Sequence, residues 1–354
     1  MIYEEIARRD ERTLELPKIL ERLSGLCSCA DAAELALGLR PEHTLRGAER
    51  LMSETVDAHM LIARFGAPSF GGMRNCRGSV TRAQAGGTLS MKELLEIAEV
   101  LRVVRSLVEW RGRCAGVETA LDERFHCLTP NKYLEEKITS AIVSEEEMSD
   151  HASPILADLR RKKRSASGRV REQLDKMIRS TAYQKYLQDP IVTIRSGRFV
   201  VPVRAECRGE VPGLVHDTSA SGSTLFIEPM SVVEANNEIR MLETKEQAEI
   251  DRILTELSNE AGGFGDGILE SYDLCIELNL IFAKAKLAYD MKASAPALND
   301  RGRVVLRKAR HPLLDPAKAV ANDILLGVDF DTLVITGPNT GGKTVALKTL
   351  GLLT

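Results

Sequence analysis

Gly337-Pro338-Asn339-Thr340-Gly341-Gly342-Lys343-Thr344 fits the pattern GxxxxGK[ST], and the rest of the chain is read outward from it. A loop that wraps a phosphate needs glycines, because its backbone N–H groups must point inward at close range. Lys343 then offers a point charge to the β- and γ-phosphates, and the Thr344 hydroxyl offers a ligand to Mg²⁺. The positive end of a helix starting here would add to the anion site. By chance the pattern arises in a chain this size on the order of 1% of the time. Its flanks sharpen it: apolar Thr332-Leu-Val-Ile-Thr336 is expected as the strand before, and Val345 to Leu353 as the helix after. The expectation is an ATP site with Mg²⁺, formed by Gly337, Pro338, Asn339, Thr340, Gly341, Gly342, Lys343 and Thr344, with Thr344 on the metal.

Hydrolysis also needs an acidic residue on a neighbouring strand, to hold the metal's water and polarise the attacking one. Ten residues follow Thr344, about 15 Å of helix, and none is Asp or Glu. The chain is therefore expected to contain no catalytic residue of its own, to bind ATP without turning it over, and to be the front of a longer protein. The short apolar segment Arg303-Val-Val-Leu-Arg307 opens this α/β-looking portion, which begins near Ala297.

Ahead of it lie two long, charged, narrow-striped helical stretches. The outgoing one begins near Asn131 with Leu134, Ile138 and Ile142, passes an expected kink at Pro154, and resumes through Leu159, Val170, Leu174 and Ile178. The returning one runs from about Val232 to Leu257, and a further helical stretch covers Ile268 to Tyr289. Two such stretches flanking one insert predict an antiparallel pair with something at its tip. The insert, Asp189 to Pro229, reads as β. Ile191–Arg195 and Arg198–Arg204 are joined by Ser196-Gly197, a two-residue hairpin signal, and Gly213–Asp217 and Thr224–Ile227 follow. Pro202 predicts an edge or bulged strand. Ser219-Ala-Ser-Gly-Ser223 lacks the spacing of a hydrolase elbow and reads as a turn.

The first 110 residues read as helices broken at Pro41, Gly71-Gly72 and Gly86-Gly87. Leu16, Ile19, Leu20, Leu23 and Leu26 form one stripe, and Ser90 with Glu93 makes a capping box ahead of another. A formal net charge of −3 gives no bulk attraction to nucleic acid, so any such binding needs a local patch. Two are offered. Arg160-Arg-Lys-Lys-Arg164 with Arg169 and Arg171 reads as a solvated helix face or as a phosphate-tracking arm. In the insert, Arg195, Arg198, Arg204 and Arg208 lie on or beside the hairpin with no aromatic interleaving expected beyond Phe199, so backbone contact is favoured over base stacking. The seven scattered cysteines and six histidines make no metal spacing, and reduced, mostly buried thiols are expected. The N-terminus lacks a secretion-signal pattern and no run of about 18 apolar residues occurs, so a cytoplasmic protein without a membrane segment is expected.

Ile335-Thr-Gly-Pro-Asn-Thr-Gly-Gly-Lys-Thr-Val-Ala-Leu-Lys-Thr-Leu-Gly-Leu-Leu353 resembles the MutS family, and its Thr340 and Thr344-Val-Ala-Leu-Lys-Thr continuation resemble the bacterial MutS-two branch. Ala309-Arg-His-Pro-Leu-Leu314, Asn322-Asp-Ile324, Gly213–Pro229, Leu20-Glu-Arg-Leu23 and Pro68-Ser-Phe-Gly-Gly72 agree with it. Ala321 departs where a proline would stand. The resemblance implies a mainly α, multi-domain chain. Residues 1–130 would be a helical core, 131–188 an outgoing lever helix, 189–230 a β-rich clamp, 231–295 returning lever and core helices, and 296–354 the first part of a P-loop ATPase domain. It further implies a homodimer in which each ATP site is completed by the other subunit. The implied activity is a clamp on branched DNA that suppresses homologous recombination, or on collided ribosomes whose subunits it separates. Mismatch reading is not implied. The family's nuclease activity sits in a C-terminal Smr domain outside this sequence. A self-contained P-loop kinase or a coiled-coil structural-maintenance-type ATPase is the alternative; a compact body with a short lid would favour the kinase.

Overall fold

The computed structural model describes residues 2–315, 317–337 and 342–354. The front of the chain is helical: α1 (Ile2–Thr13), α2 (Leu16–Ser24), α3 (Ala30–Leu37), α4 (Leu45–Phe65), α5 (Arg77–Gln84), α6 (Met91–Arg113), α7 (Asp122–His126) and α8 (Lys132–Ala141). Then come α9 (Pro154–Arg179), the single turn α10 (Thr181–Gln184), and four strands: β1 (Thr193–Arg195), β2 (Arg198–Arg204), β3 (Gly213–Thr218) and β4 (Thr224–Pro229). The chain ends with α11 (Met230–Gly263), α12 (Gly265–Met291), β5 (Val304–Ala309), β6 (Asn322–Leu326) and α13 (Lys343–Leu353). The protein is mainly helical with two small antiparallel sheets. It divides into two compact units, one of residues 1–81, 96–135 and 264–354, the other of residues 82–95 and 136–263.

In the first unit α12 is the central helix, buried on most of its circumference from Ile268 to Leu287. Phe282 on it meets Phe70 at 5.9 Å and Trp110 edge-on at 5.6 Å between ring centroids, and Trp110 meets Phe125 at 5.9 Å. Such tilted pairs add to the area that the rings bury. The stripe read from Leu16 to Leu26 lies here, with Leu23 packed beside Ala36, Leu280 and Ala283. Polar groups inside are matched: Glu54 is 2% exposed and takes Arg124 at 3.0 Å, while Glu135 takes two bonds from Arg105 at 2.8 and 2.7 Å.

In the second unit α9 and α11 pack antiparallel, as Arg160 bonded to Glu246 and Arg169 bonded to Glu238 require. Ala166, Val170, Leu174 and Ile178 recur every four residues on α9, so they share a face. That face is buried with Val232 and Ile239 of α11 and with Val201, Val203 and Ile227 of the sheet, one core joining helices to strands. Pro154 is no kink. It is the first helical residue of α9, where its missing N–H costs nothing, and Ser153 caps it by accepting from Leu156 N–H at 3.0 Å. The expected outgoing helix is therefore broken into α8, a tight connection and α9.

The four-stranded sheet runs β1-β2-β4-β3, with every neighbour antiparallel. Ser196 and Gly197 have φ of 50° and 74°, as a type I′ hairpin turn requires. Pro202 does not mark an edge: β2 is an interior strand. Its carbonyl accepts from Gln188 N–H at 2.9 Å, so its ring nitrogen faces the same side, where the β1 ladder has already ended at Val200. The bulge falls instead on β3, between Val215 and Asp217. Ser219 to Gly222 form the expected turn, closed by Ser219 N–H on Thr224 O at 2.9 Å.

The C-terminal portion contains a second correction. Thr332–Thr336 is not a strand; Val334 is 76% exposed and no ladder partner lies beside it among the described residues. An apolar run has strand propensity, but a strand exists only through hydrogen bonds to a neighbour. The strands found here are β5 and β6, paired antiparallel with Val304 opposite Leu326. Among the described residues no helix is long and apolar enough to cross a membrane.

Candidate nucleotide loop and nucleic-acid surface

Of the eight expected phosphate-loop residues, Pro338, Asn339, Thr340 and Gly341 lie outside the described residues. The remaining four bracket the loop. Gly337 and Gly342 have φ of 134° and 81°, a region that favours glycine, and Gly342 is the N-cap of α13. Lys343 begins that helix and its ammonium turns back to donate to the Gly337 carbonyl. Thr344 is exposed. A helix N-terminus capped by glycine, a lysine donating back to Gly337 and an accessible hydroxyl are compatible with a triphosphate and Mg²⁺, in which Lys343 would meet the phosphates and Thr344 the metal.

Helix α13 is held to the front of its unit. Lys348 bonds Glu15 at 2.7 Å, and Gly351 sits so close to Leu14 that a Cβ there would meet its side chain at 2.7 Å. Side-chain bonds from Lys18 and Lys348 hold the Glu15 carboxyl down at about 2. Nearby, His311 is buried, its Nδ1 accepts from Leu313 N–H at 3.3 Å, and burial lowers its pKa below the ordinary imidazole value.

The four insert arginines divide by environment. Arg198 is structural: its Nη1 bonds both oxygens of fully buried Glu228, at 2.8 and 2.9 Å, and its Nη2 bonds Asn237 at 2.6 Å. Asn236 joins the same carboxylate at 2.7 Å, and exchanges bonds with both backbone groups of Phe199. His216 Nε2 lies 2.5 Å from the other Glu228 oxygen. A buried carboxylate is tolerable only with partners of this kind. Arg204 and Arg208 are exposed. Arg195 is half-exposed, pairs with Asp217 at 3.3 Å, and lies 4.3 Å above the centre of the Phe226 ring. Phe226 and the Glu228 network escape a reading of the sequence, because both depend on strand order: β4 enters the sheet between β2 and β3. Alternation along β4 was the one available signal, since Phe226 and Glu228 share a face.

Much of the long basic run is paired, while Arg161 and Arg164 keep most of their side chains exposed. Arg160 reaches Asp150 at 2.7 Å and Glu246 at 2.8 Å, Lys163 bonds Glu246, Lys162 reaches Asp158 at 2.7 Å, and Arg169 reaches Glu238 at 2.9 Å. These pairs tie α9 to α11 and to its own preceding turn, so the run works as a helix-pair seam and favours the solvated-face reading. The cysteines are all free thiols, four buried, two half-buried, and Cys127 exposed. No group of three or more metal-binding side chains gathers among the described residues.

A GxxxxGK[ST] motif at a helix start, in a mainly helical chain with a small sheet beside an antiparallel helix pair, agrees with the resemblance to MutS-like proteins. Comparison with known proteins makes it specific. The chain is 47% identical over 346 residues to "Endonuclease MutS2" of Acetivibrio thermocellus, 46% identical over 348 residues to that of Ruminiclostridium cellulolyticum, and 42% identical over 344 residues to that of Clostridium perfringens. These alignments cover 97 to 98% of this chain and 44% of each relative. No family model matches. Over the stretch compared, the chain belongs to the MutS2 branch of the MutS family, and it spans under half the length of these relatives.

Proposed function

We propose that this chain is the ATP-binding and nucleic-acid-gripping part of a MutS2-type clamp. The observation that carries the reading is the α13 start, where Gly342 caps the helix and the Lys343 ammonium donates back to the Gly337 carbonyl. Gly337 to Thr344 would hold the triphosphate, with Thr344 on Mg²⁺. The α9–α11 pair would act as a lever, and the four-stranded sheet as the clamp that meets nucleic acid through Arg195, Arg204 and Arg208. Arg198 keeps the sheet folded. Two subunits would close around a large nucleic-acid object, branched DNA or a stalled ribosome. The relatives' name speaks of an endonuclease; the residues described here are assigned to grip and gating, not to cleavage.

Binding of a fluorescent ATP analogue with Mg²⁺ by the full chain tests the first half: Lys343→Ala is expected to abolish it, and equal binding by the variant rejects the site. Sedimentation with ribosomes against binding to four-way DNA junctions, at matched salt, tests the second. Arg204→Glu with Arg208→Glu is expected to weaken whichever is bound, and an unchanged affinity for both removes the sheet from the interface.

A further inference from the structure

Arg195 is fixed on three sides. Its Nη1 donates to the Ile194 carbonyl at 3.1 Å, its Nε faces Asp217 at 3.3 Å, and its guanidinium lies over Phe226 at 4.3 Å. It reaches from β1 across β2 to β4 and β3, since Asp217 and Phe226 are paired in register. One face of the guanidinium lies on the ring and its edge on a carboxylate, and the side chain as a whole keeps 40% of its surface exposed. A planar cation held this way costs little further ordering when a flat partner settles on it.

Charge argues for the same use. From Asp189 to Met230 the insert has four arginines against five carboxylates (Asp189, Glu206, Glu210, Asp217 and Glu228), a net of −1. Two of those arginines are already paired, Arg198 with Glu228 and Arg195 with Asp217. Bulk attraction to phosphates is therefore weak, and affinity must come from elsewhere. Arg204 pairs with Thr224, two residues along β4 from Phe226, so it shares that face at about 7 Å along the strand.

We propose that this face of the sheet takes an unpaired nucleobase, stacked on the Arg195 guanidinium, with a phosphate of the same strand at Arg204. Asp217 is a positioning residue that keeps the guanidinium flat. The clamp thus prefers nucleic acid with a flipped or single-stranded base over perfect duplex. This rests on the clamp reading above and adds a substrate class to it. Both DNA and RNA supply such bases.

The test compares short fully paired duplexes with the same duplexes carrying one unpaired base, in DNA and in RNA, by anisotropy on the full chain. A 2-aminopurine at the unpaired position reports stacking directly. Wild type is expected to bind the unpaired-base probes roughly fivefold or more tighter than duplex and to change the 2-aminopurine fluorescence as the base leaves the helical stack. Arg195→Lys keeps the charge and is expected to lose both the preference and the fluorescence change. Phe226→Leu is the second variant, expected to act alike, with thermal melts checking both folds. Equal affinity of wild type for paired and unpaired probes overturns the stacking proposal but leaves the clamp standing. Absence of binding by the wild-type chain to every probe overturns both.

Discussion

Arg195 and Arg198 stand three residues apart in one hairpin and have opposite fates, because the sheet buries the partner of one and leaves the partner of the other in water. Removing one side of a buried charged pair costs about 3–5 kcal/mol. Arg198→Ala is therefore expected to lower unfolding free energy by about 3 kcal/mol in urea titration, whereas Arg204→Ala should stay within about 0.5 kcal/mol. Equal effects would mean that Glu228 does not depend on Arg198. Gly213 carries a different constraint: a Cβ there would stand 2.2 Å from the Glu228 carbonyl. Gly213→Ala must push β3 off β4, with an expected loss of about 1–3 kcal/mol read in the same titration.

Among the elements, α6 shows how a cap couples to pH. Ser90 Oγ accepts from Glu93 N–H at 3.4 Å, and Glu93 accepts from Ser90 N–H at 2.9 Å. Burial alone would raise the Glu93 pKa, but the Arg82 and Ser90 bonds outweigh it and hold it down at about 2. A carboxylate depressed in the folded state stabilises fully above its unfolded value near 4.5, and the contribution fades as pH falls toward 2. Glu93→Gln is expected to be less stable than wild type at pH 6, with the gap closing between pH 4.5 and 2 in parallel melts; a pH-independent gap would contradict this. Farther along, α11 approaches α5 so closely that a Cβ on Gly262 would lie 2.6 Å from the Ala83 carbonyl. Gly262→Ala would improve helix propensity by about 1 kcal/mol in isolation, yet it is expected to destabilise the protein, since the obstacle is backbone. A higher melting temperature for the variant would show that the two helices can part without cost.

For the molecule as a whole, ligand linkage separates the nucleotide site from the fold. A ligand at a hundred times its Kd stabilises the folded state by about 2.7 kcal/mol. Mg²⁺-ATP is expected to raise the melting temperature of the wild-type chain and leave that of Lys343→Ala unmoved, while the two unliganded proteins melt together. Stabilisation of both to the same extent would place ATP elsewhere.

Much is legible in the sequence alone. The hairpin at Ser196-Gly197, the cap at Ser90, the helix after Thr344 and the long helices around a β insert follow from local rules, because turn chemistry, capping and periodicity act within a few residues. The family also lay in the wording of a local motif. What the sequence could not fix were the long-range partners. Pro202 lies inside the sheet because β4 arrives from more than twenty residues away. Arg160, Lys163 and Arg169 of the basic run form an ion-pair seam because α11 returns beside α9 with Glu238 and Glu246. Thr332–Thr336 has strand composition and no ladder partner among the described residues, so it is not a strand here. Sequence determined which segments are helix, turn or strand-forming; tertiary structure decided which charges are neutralised and which side chains remain available, since burial and pairing depend on what the rest of the chain brings alongside.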